Sequence, residues 1–325
     1  MQFRQLGRTG ITVSEIGFGA WGIGGAMWQG SDDAAAMTAV TAALDAGCTF
    51  IDTALAYGNG HSEKLIAKAL AGRKEAVAVA SKIPPKNQVW PAKPGTPLTA
   101  TFPADWVKEC AERSAANIGR PVDLLQFHVW RDDWLKAPEW RQVEKTLHQL
   151  IAAGQLRHVG ISINDHAPET ALEAVRQVDL ISVVQVIYNI FDRSPEDALF
   201  PLCRERKVGV IARVPFDEGG LTGKIVPGVA FPPDDWRNGY FKGDRPAQVA
   251  ERVAKLQPVV LRESKTLAEG ALRFCLSHPD VSTVIPGMRT PEHARVNCAV
   301  SDGRRFSAPL LEELKAHAWK RNFYD

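Results

Sequence analysis

"FIDTALAYGNGHSEKLIAKAL", residues 50 to 70, decides the fold. An apolar pair runs straight into Asp52. Tyr57 follows five residues later, then glycines, then a helix-forming run. Strand, glycine-rich loop and helix in that order read as part of a parallel βαβ unit.

The same rhythm repeats along the chain. Short β-type runs are "SEIGFGAW", "CTFIDTA", "AVAVASK", "VDLLQFHVW", "RHVGISI", "ISVVQVIYN", "VGVIARVPF" and "VSTVIPG". Amphipathic stretches lie between them, such as "DDAAAMTAVTAALDAG" and "WRQVEKTLHQLIAAG", each ending on a glycine stop. Eight such units in 325 residues predict an α/β fold, a (β/α)₈ TIM barrel, as one domain over residues 1–325. Ahead of the first unit, "FRQLGRTGITVSEIG" reads as a β-hairpin closing the barrel bottom. Two proline-bearing segments, 84 to 106 and 224 to 246, break the rhythm. Both follow strands, so they are long loops at the C-terminal face, where barrel enzymes work.

Composition narrows the function class. The chain is 45% hydrophobic and 23% charged, as soluble globular proteins are. Its 39 basic and 37 acidic residues give +2, so no nucleic-acid or membrane partner is expected. No run of about 18 apolar residues occurs, and the start lacks a signal-peptide core. The five cysteines are scattered without CxxC, which reads as free thiols in the cytoplasm. No metal-ligand spacing is present.

Strand C-termini face a common pocket in such a barrel. Asp52 ends the second strand, Lys82 the third, and His128 sits near the end of the fourth. Tyr57 lies in the loop after the second. A ketone accepting hydride needs a proton on its oxygen, and Tyr57 can supply it. A phenol titrates at about 10, and a nearby ammonium lowers that value. Lys82 is the expected cation, Asp52 its salt-bridge partner, and His128 the donor that orients the carbonyl. Taken singly, each residue is as readily structural. The joint pattern carries the reading. Tryptophans 21, 90, 106, 130, 134 and 236 fall in the presumed rim segments, as packing or as an aromatic pocket.

Here the sequence resembles the aldo-keto reductases. "GFGAWGIGG", "FIDTALAYGNGHSEKLIAKAL", "VAVASKI", "DLLQFHVW", "HVGIS", "VVQVIYNIFDR", "GGLTGK" and "IPGMRTPEHARVN" match that family's pattern in order, over nearly the whole chain. The resemblance implies a barrel that binds NADP(H), with NADPH reducing a small-molecule carbonyl. It implies the tetrad Asp52, Tyr57, Lys82 and His128, with Asp52 and Tyr57 also beside the cofactor. Gly19, Ala20 and Trp21 match the segment along the nicotinamide. Ser162 and Gln185 match residues that hold its carboxamide. The family often has Asn directly after that Ser; here Ile163 intervenes before Asn164. Arg213 stands where many members carry a stacking aromatic, and a guanidinium plane can also stack. Leu221 and Lys224 match pyrophosphate-side contacts, with Pro215 and Gly223 in the same cofactor-holding stretch. Gly287, Arg289, His293 and Asn297 match the adenosine site, where Val296 replaces a frequent Glu. Residues 224–246 would be a belt over the cofactor. Arg289 opens a helix capped near Thr290, which suits a phosphate monoester and so NADPH rather than NADH.

Other readings compete. A barrel that senses NADP(H) and regulates a partner would keep the tetrad, and turnover of aldehydes separates it from an enzyme. A hydrolase with paired carboxylates would use Asp217 and Glu218. "GFGAWG" fits G-x-G-x-x-G, but more glycines follow it where a Rossmann helix would open, and Ser31 or Asp32 is the expected helix cap. No Tyr-x-x-x-Lys occurs. Substrate identity, preferred direction and oligomeric state are not legible.

Overall fold

The computed structural model describes residues 1–25 and 32–324. A hairpin comes first: β1 (Phe3–Gln5) pairs antiparallel with β2 (Thr12–Ser14). Eight parallel strands follow: β3 (Phe18–Gly19), β4 (Phe50–Asp52), β5 (Ala78–Ile83), β6 (Val122–Phe127), β7 (Leu156–Ser162), β8 (Ile181–Ile187), β9 (Gly209–Arg213) and β10 (Thr283–Val284). They pair in chain order. The parallel pairings Ile16–Val284 and Gly19–Gly287 join the first strand to the last and close the ring. Each strand matches one of the eight runs expected from sequence, and helices clothe the outside. Two of these, Asp33–Asp45 and Trp140–Ala152, are the amphipathic stretches noted above. The glycines that end them, Gly47 and Gly154, have φ of 88° and 69°.

The hairpin plugs the N-terminal end of the ring. Leu6 and Val13 pack with Phe50, Ala78, Ala80, Leu124, Val183, Ile211 and Ile285 inside the barrel. Arg8 donates to the carbonyls of Arg206, Asp179 and Ile181 at 2.6–2.8 Å. Gly7 (φ 55°) lies so close that a Cβ there would meet the Gly209 nitrogen at 2.2 Å.

The period of two along each strand builds the site above this plug. Phe50, Ala80, Leu124, Val183 and Ile211 point inward as apolar filling. Two residues on, the same inward phase carries Asp52, Lys82, Gln126, Gln185 and Arg213. Gly160 also faces inward, since its Cβ would touch Leu124 and Gln126. Ser162 follows it by two. Six consecutive strands therefore each carry one inward polar side chain within two residues of their C-terminal end. The outward residues between them, such as Ile51, Val79, Leu125, Val184 and Val210, join the core beneath the helices.

The opening stretch now has its explanation. β4 stops at Asp52, and the chain turns through Gly58, Asn59 and Gly60, with φ of 63°, 51° and 89°. Three left-handed residues in succession need glycine or asparagine. A Cβ on Gly58 would meet the Gly24 oxygen at 2.2 Å, so this loop leans on the one after β3. That contact holds Tyr57 over the barrel mouth. The first barrel helix starts at Asp33, and Asp32 caps it by accepting from Ala34 and Ala35. The glycine cluster after β3 therefore opens no Rossmann helix. Ser31, the other expected cap, lies outside the described residues.

Candidate active site

Lys82 Nζ lies at the centre. It donates to Asp52 Oδ2 at 2.6 Å and the Thr53 carbonyl at 2.8 Å, and stands 3.4 Å from the Tyr57 hydroxyl. Asp52 and Lys82 are buried. The other carboxylate oxygen of Asp52 accepts from Gln185 Nε2 at 2.7 Å and from Gln126 Nε2 at 3.3 Å. The charge pair is thus fully hydrogen-bonded, as a buried ion pair must be. His128 follows the last residue of β6, and its amide bonds the Ile83 carbonyl at 3.1 Å. Its ring meets Tyr57 edge-on, centroids 5.8 Å apart, and its Nδ1 is buried without a hydrogen-bond partner. The four residues read from three strand ends do converge on one rim.

The electrostatics differ from the sequence expectation in one respect. The sequence alone has Lys82 pulling the Tyr57 phenol below its ordinary value. Burial, reinforced by the Asp52 carboxylate, instead pushes it well above. The reason is local: Asp52 balances the Lys82 charge at 2.6 Å, so little of that field is left to favour a phenolate. Burial also lowers Lys82 against the pull of Asp52. His128 is driven well below 6.5 by burial and then by Lys82 and Arg213. At neutral pH the site holds a protonated phenol and a neutral imidazole.

The cofactor-matching residues fall in three places. Gly19, Ala20, Trp21, Ser162, Gln185 and Arg213 share the rim with the tetrad. The Ala20 amide bonds the Asp52 carbonyl at 2.9 Å, and a Cβ on Gly19 would strike Ile285 and Pro286. Arg213 donates to Asp165 at 2.7 Å and to the Ile163 carbonyl at 2.9 Å, and its buried Nε has no partner. Asn164 is different. Its amide donates to the carbonyls of Trp130 (2.9 Å) and Ala92 (3.4 Å), while its oxygen accepts from the Trp130 amide. Asn164 thus clasps two rim loops together. Ile163 sets Asn164 two positions past Ser162.

The second place is a cavity of about 290 Å³ lined by Gly22, Ile23, Asp32, Ala35, Ala36, Arg289, Thr290 and His293. Thr290 caps the helix Pro291–Ala299 by accepting from the His293 amide, as expected. Gly287 precedes the cavity on the chain, and Asn297 is buried further along that helix. The third place is the turn after β9. Pro215 and Leu221 are buried there, Gly223 has φ 75°, and Lys224 is exposed. Burial and the Lys224 charge lower His293, so this turn adjoins the cavity. A cationic side chain beside a capped helix N-terminus fits a phosphate group.

The tryptophans divide. Trp130 and Trp134 are core, packed with Phe102, Phe127 and Trp140. Trp106 donates to the Pro84 carbonyl. Trp21, Trp90 and Trp236 stand at the mouth. Trp90 meets His128 at 4.5 Å, and Trp21 lies 6.5 Å from Tyr57 and 4.9 Å from Trp236.

Asp217 and Glu218 are the carboxylates of the hydrolase reading. The C-terminal tail engages both: Arg321 forks onto Asp217, and the Tyr324 hydroxyl bonds Glu218. Sequence reading missed this tail, and it missed Gln126. Gln126 had a signal, a lone amide at the inward phase of a buried strand. The tail had none.

Residues 15–318 match the aldo/keto reductase family. The chain belongs to that family. It is 30% identical over 299 residues to an aldo-keto reductase of Bacillus subtilis, covering 90% of this chain and 86% of the relative. It is 28% identical over 310 residues to the NADH-specific methylglyoxal reductase of Escherichia coli, covering 90% and 91%. Among solved structures, the glycerol dehydrogenase of Gluconobacter oxydans superposes with a TM-score of 0.79 at 25% identity, covering 97% of this chain and 94% of that one. The holo form of an aldo-keto reductase from Bacillus halodurans gives 0.76 at 25%, covering 98% and 96%. The parallel barrel is thus that of an oxidoreductase family that acts on carbonyls. Among the described residues, no helix of this aldo-keto reductase is long and apolar enough to cross a membrane.

Proposed function

We propose that this protein reduces an aldehyde or ketone with NADPH, and that Tyr57 gives the proton. The observation that carries the reading is Lys82 Nζ, shared between Asp52 at 2.6 Å and the Tyr57 hydroxyl at 3.4 Å. The nicotinamide supplies the hydride. The chain's own residues do the rest. Tyr57 keeps its proton until a developing alkoxide takes it. Lys82, held by Asp52, stabilises the phenolate left behind. His128, neutral and edge-on to Tyr57, orients the carbonyl oxygen. Trp21, Trp90 and Trp236 form an aromatic mouth that suits a small carbonyl with an apolar or planar body.

Arg289 is the residue proposed to select NADPH, by pairing with the 2′-phosphate in the cavity it lines. A relative at 28% identity is NADH-specific by name, so membership of the family does not by itself fix the preference. Ser162 and Gln185 are proposed to hold the carboxamide, and Leu221 to Lys224 the pyrophosphate. Oxidation of reduced nicotinamide is followed by absorbance across a panel of aldehydes, ketones and quinones. Turnover with NADPH that is lost in Tyr57→Phe, with cofactor binding retained, supports the assignment. Tight NADPH binding without turnover of any panel member defeats it.

A further inference from the structure

The turn after β9 is strained, and its strain has an external holder. Val214, Asp217 and Glu218 have φ of 55°, 51° and 56°, and none is glycine. A β-branched residue at such a φ is a true outlier. Conformations of this kind persist where the surroundings over-determine them, and they gather at ligand sites. The turn's own bonds are few: Asp217 N to Val214 O at 3.0 Å, Gly219 N to Phe216 O at 3.0 Å, and Leu221 N to Phe216 O at 2.9 Å. Asn189 adds a bond to the Val214 carbonyl at 3.0 Å.

The remaining grip comes from the end of the chain, more than 100 residues away. Arg321 forks onto Asp217, with Nη1 to Oδ1 at 2.9 Å, and both side chains are largely buried. Tyr324 bonds Glu218. The tail is itself fastened to the barrel. The Trp319 amide bonds the Phe191 carbonyl at 2.8 Å, and Arg245 donates to the Phe323 carbonyl at 2.7 Å. The Arg321 guanidinium lies 4.0 Å from the Trp319 ring centroid and 4.5 Å from that of Phe323. The Tyr324 ring is parallel to Trp236 of the 224–246 segment, 9° apart at 6.4 Å. The tail is thus a fixed strut with one end on the body and the other on the strained turn.

We propose that Arg321 and Tyr324 are positioning residues for the cofactor: they brace Val214–Glu218, and through it Leu221–Lys224, in the conformation that receives the pyrophosphate. This rests on the cofactor reading above. Neither residue touches the reacting atoms, so removing the brace weakens dinucleotide binding before it affects the chemistry.

The test measures NADPH affinity by fluorescence in the full-length protein, with thermal unfolding alongside. Arg321→Met is expected to bind on the order of 10- to 100-fold more weakly, the usual range of coupling between distant groups. At saturating NADPH its kcat stays near the parent's. The decisive variant adds Val214→Gly. Glycine adopts positive φ without strain, so one of the three strained positions is relieved, the turn leans less on the tail, and part of the affinity returns. A merely structural role for Arg321 predicts no such rescue. If Arg321→Met does not fold, Tyr324→Phe replaces it, with a smaller loss and the same rescue. Unchanged affinity in Arg321→Met or in its substitute, or a loss that Val214→Gly does not reduce, overturns the brace alone. A parent that binds neither NADPH nor NADH overturns the cofactor reading and the brace with it.

Discussion

The floor and the roof of the barrel mouth are built differently. The floor is one inward side chain from each of six consecutive strands: Asp52, Lys82, Gln126, Ser162, Gln185 and Arg213. Each sits within two residues of the end of a strand whose backbone is fixed by its neighbours on both sides. The roof is the turn after β9, the 224–246 segment and the tail. It is held by side-chain pairs, Arg321 with Asp217 and Tyr324 with Glu218, and by stacked rings. The Asp52–Lys82 pair lies on this rigid part, where sub-ångström placement is inherited from the ladder, and Tyr57 reaches over it from the loop after β4. The roof's placement depends instead on side-chain pairs between segments far apart in the chain.

The largest effect expected falls on Tyr57, which stands directly over the floor's Lys82. Tyr57→Phe keeps the ring and removes the proton, and carbonyl reduction should drop by about 10²–10⁴-fold, the usual weight of positioned acid catalysis. NADPH binding should hardly change. Lys82→Met should be as severe, since it also leaves Asp52 buried without its cation. The pH profile sharpens the point. With Tyr57 raised well above 10 and His128 well below 6.5, neither group titrates near neutrality. A limb near 6.5 in kcat/KM that vanishes in His128→Asn would contradict a neutral imidazole.

The same contrast separates what the sequence disclosed from what it hid. All eight strands were legible because a buried parallel strand is a short apolar run, and each run here is bounded by loop residues. Asp52, Lys82 and His128 were legible because a charge at the end of such a run has little structural reason to be there. Gln126 was within reach by the same logic, but an uncharged amide inside "LLQF" does not stand out. The roof was illegible. Arg321 meets Asp217 across 104 residues with no periodic pattern between them. The direction of the Tyr57 shift was hidden too, because it depends on how completely Asp52 neutralises Lys82, a matter of ångströms.

Arg289, on the loop after β10 and outside both floor and roof, carries the next largest effect. Arg289→Ala should weaken NADPH by about 10- to 100-fold, the loss of charge-assisted hydrogen bonds to a phosphate. NADH, lacking that phosphate, should bind almost as before. Equal losses for both, measured by titration at fixed ionic strength, would show that Arg289 does not read the 2′-phosphate.

Gln126 and Gln185 divide the floor itself. Both donate to the same oxygen of Asp52, at 3.3 and 2.7 Å. Gln126→Leu removes the longer bond and should lower kcat by roughly 3- to 10-fold, with NADPH affinity untouched. Gln185→Leu removes the shorter bond and the proposed carboxamide contact, so kcat and affinity should fall together. Identical behaviour of the two variants would mean that the floor does not separate catalysis from cofactor binding.

The smallest effect belongs to Glu218, which ties the roof's stability to pH. Burial pushes its carboxyl up from 4.5 to about 7, against the hydrogen bond from Tyr324 and the Arg213 charge; Asp217 and Asp165 add to the rise. The sign follows from proton binding. Below pH 4.5 the group is protonated in both the folded and unfolded chain, and it has no effect. Between 4.5 and 7 the unfolded chain releases the proton while the folded one keeps it, so this group's contribution to stability falls as pH rises. Above 7 the loss is complete. Glu218→Gln carries no proton to lose, so its melting temperature should lack this decline. The variant should match the parent near pH 4.5 and exceed it by roughly 1–3 °C at pH 8, a modest shift for a chain of this size. The amide oxygen of the substituted side chain still accepts from the Tyr324 hydroxyl, so the brace survives and NADPH affinity should hold. A variant that melts below the parent at pH 8 would show that the ionised carboxylate, through Tyr324 and Arg213, stabilises the roof more than its burial costs.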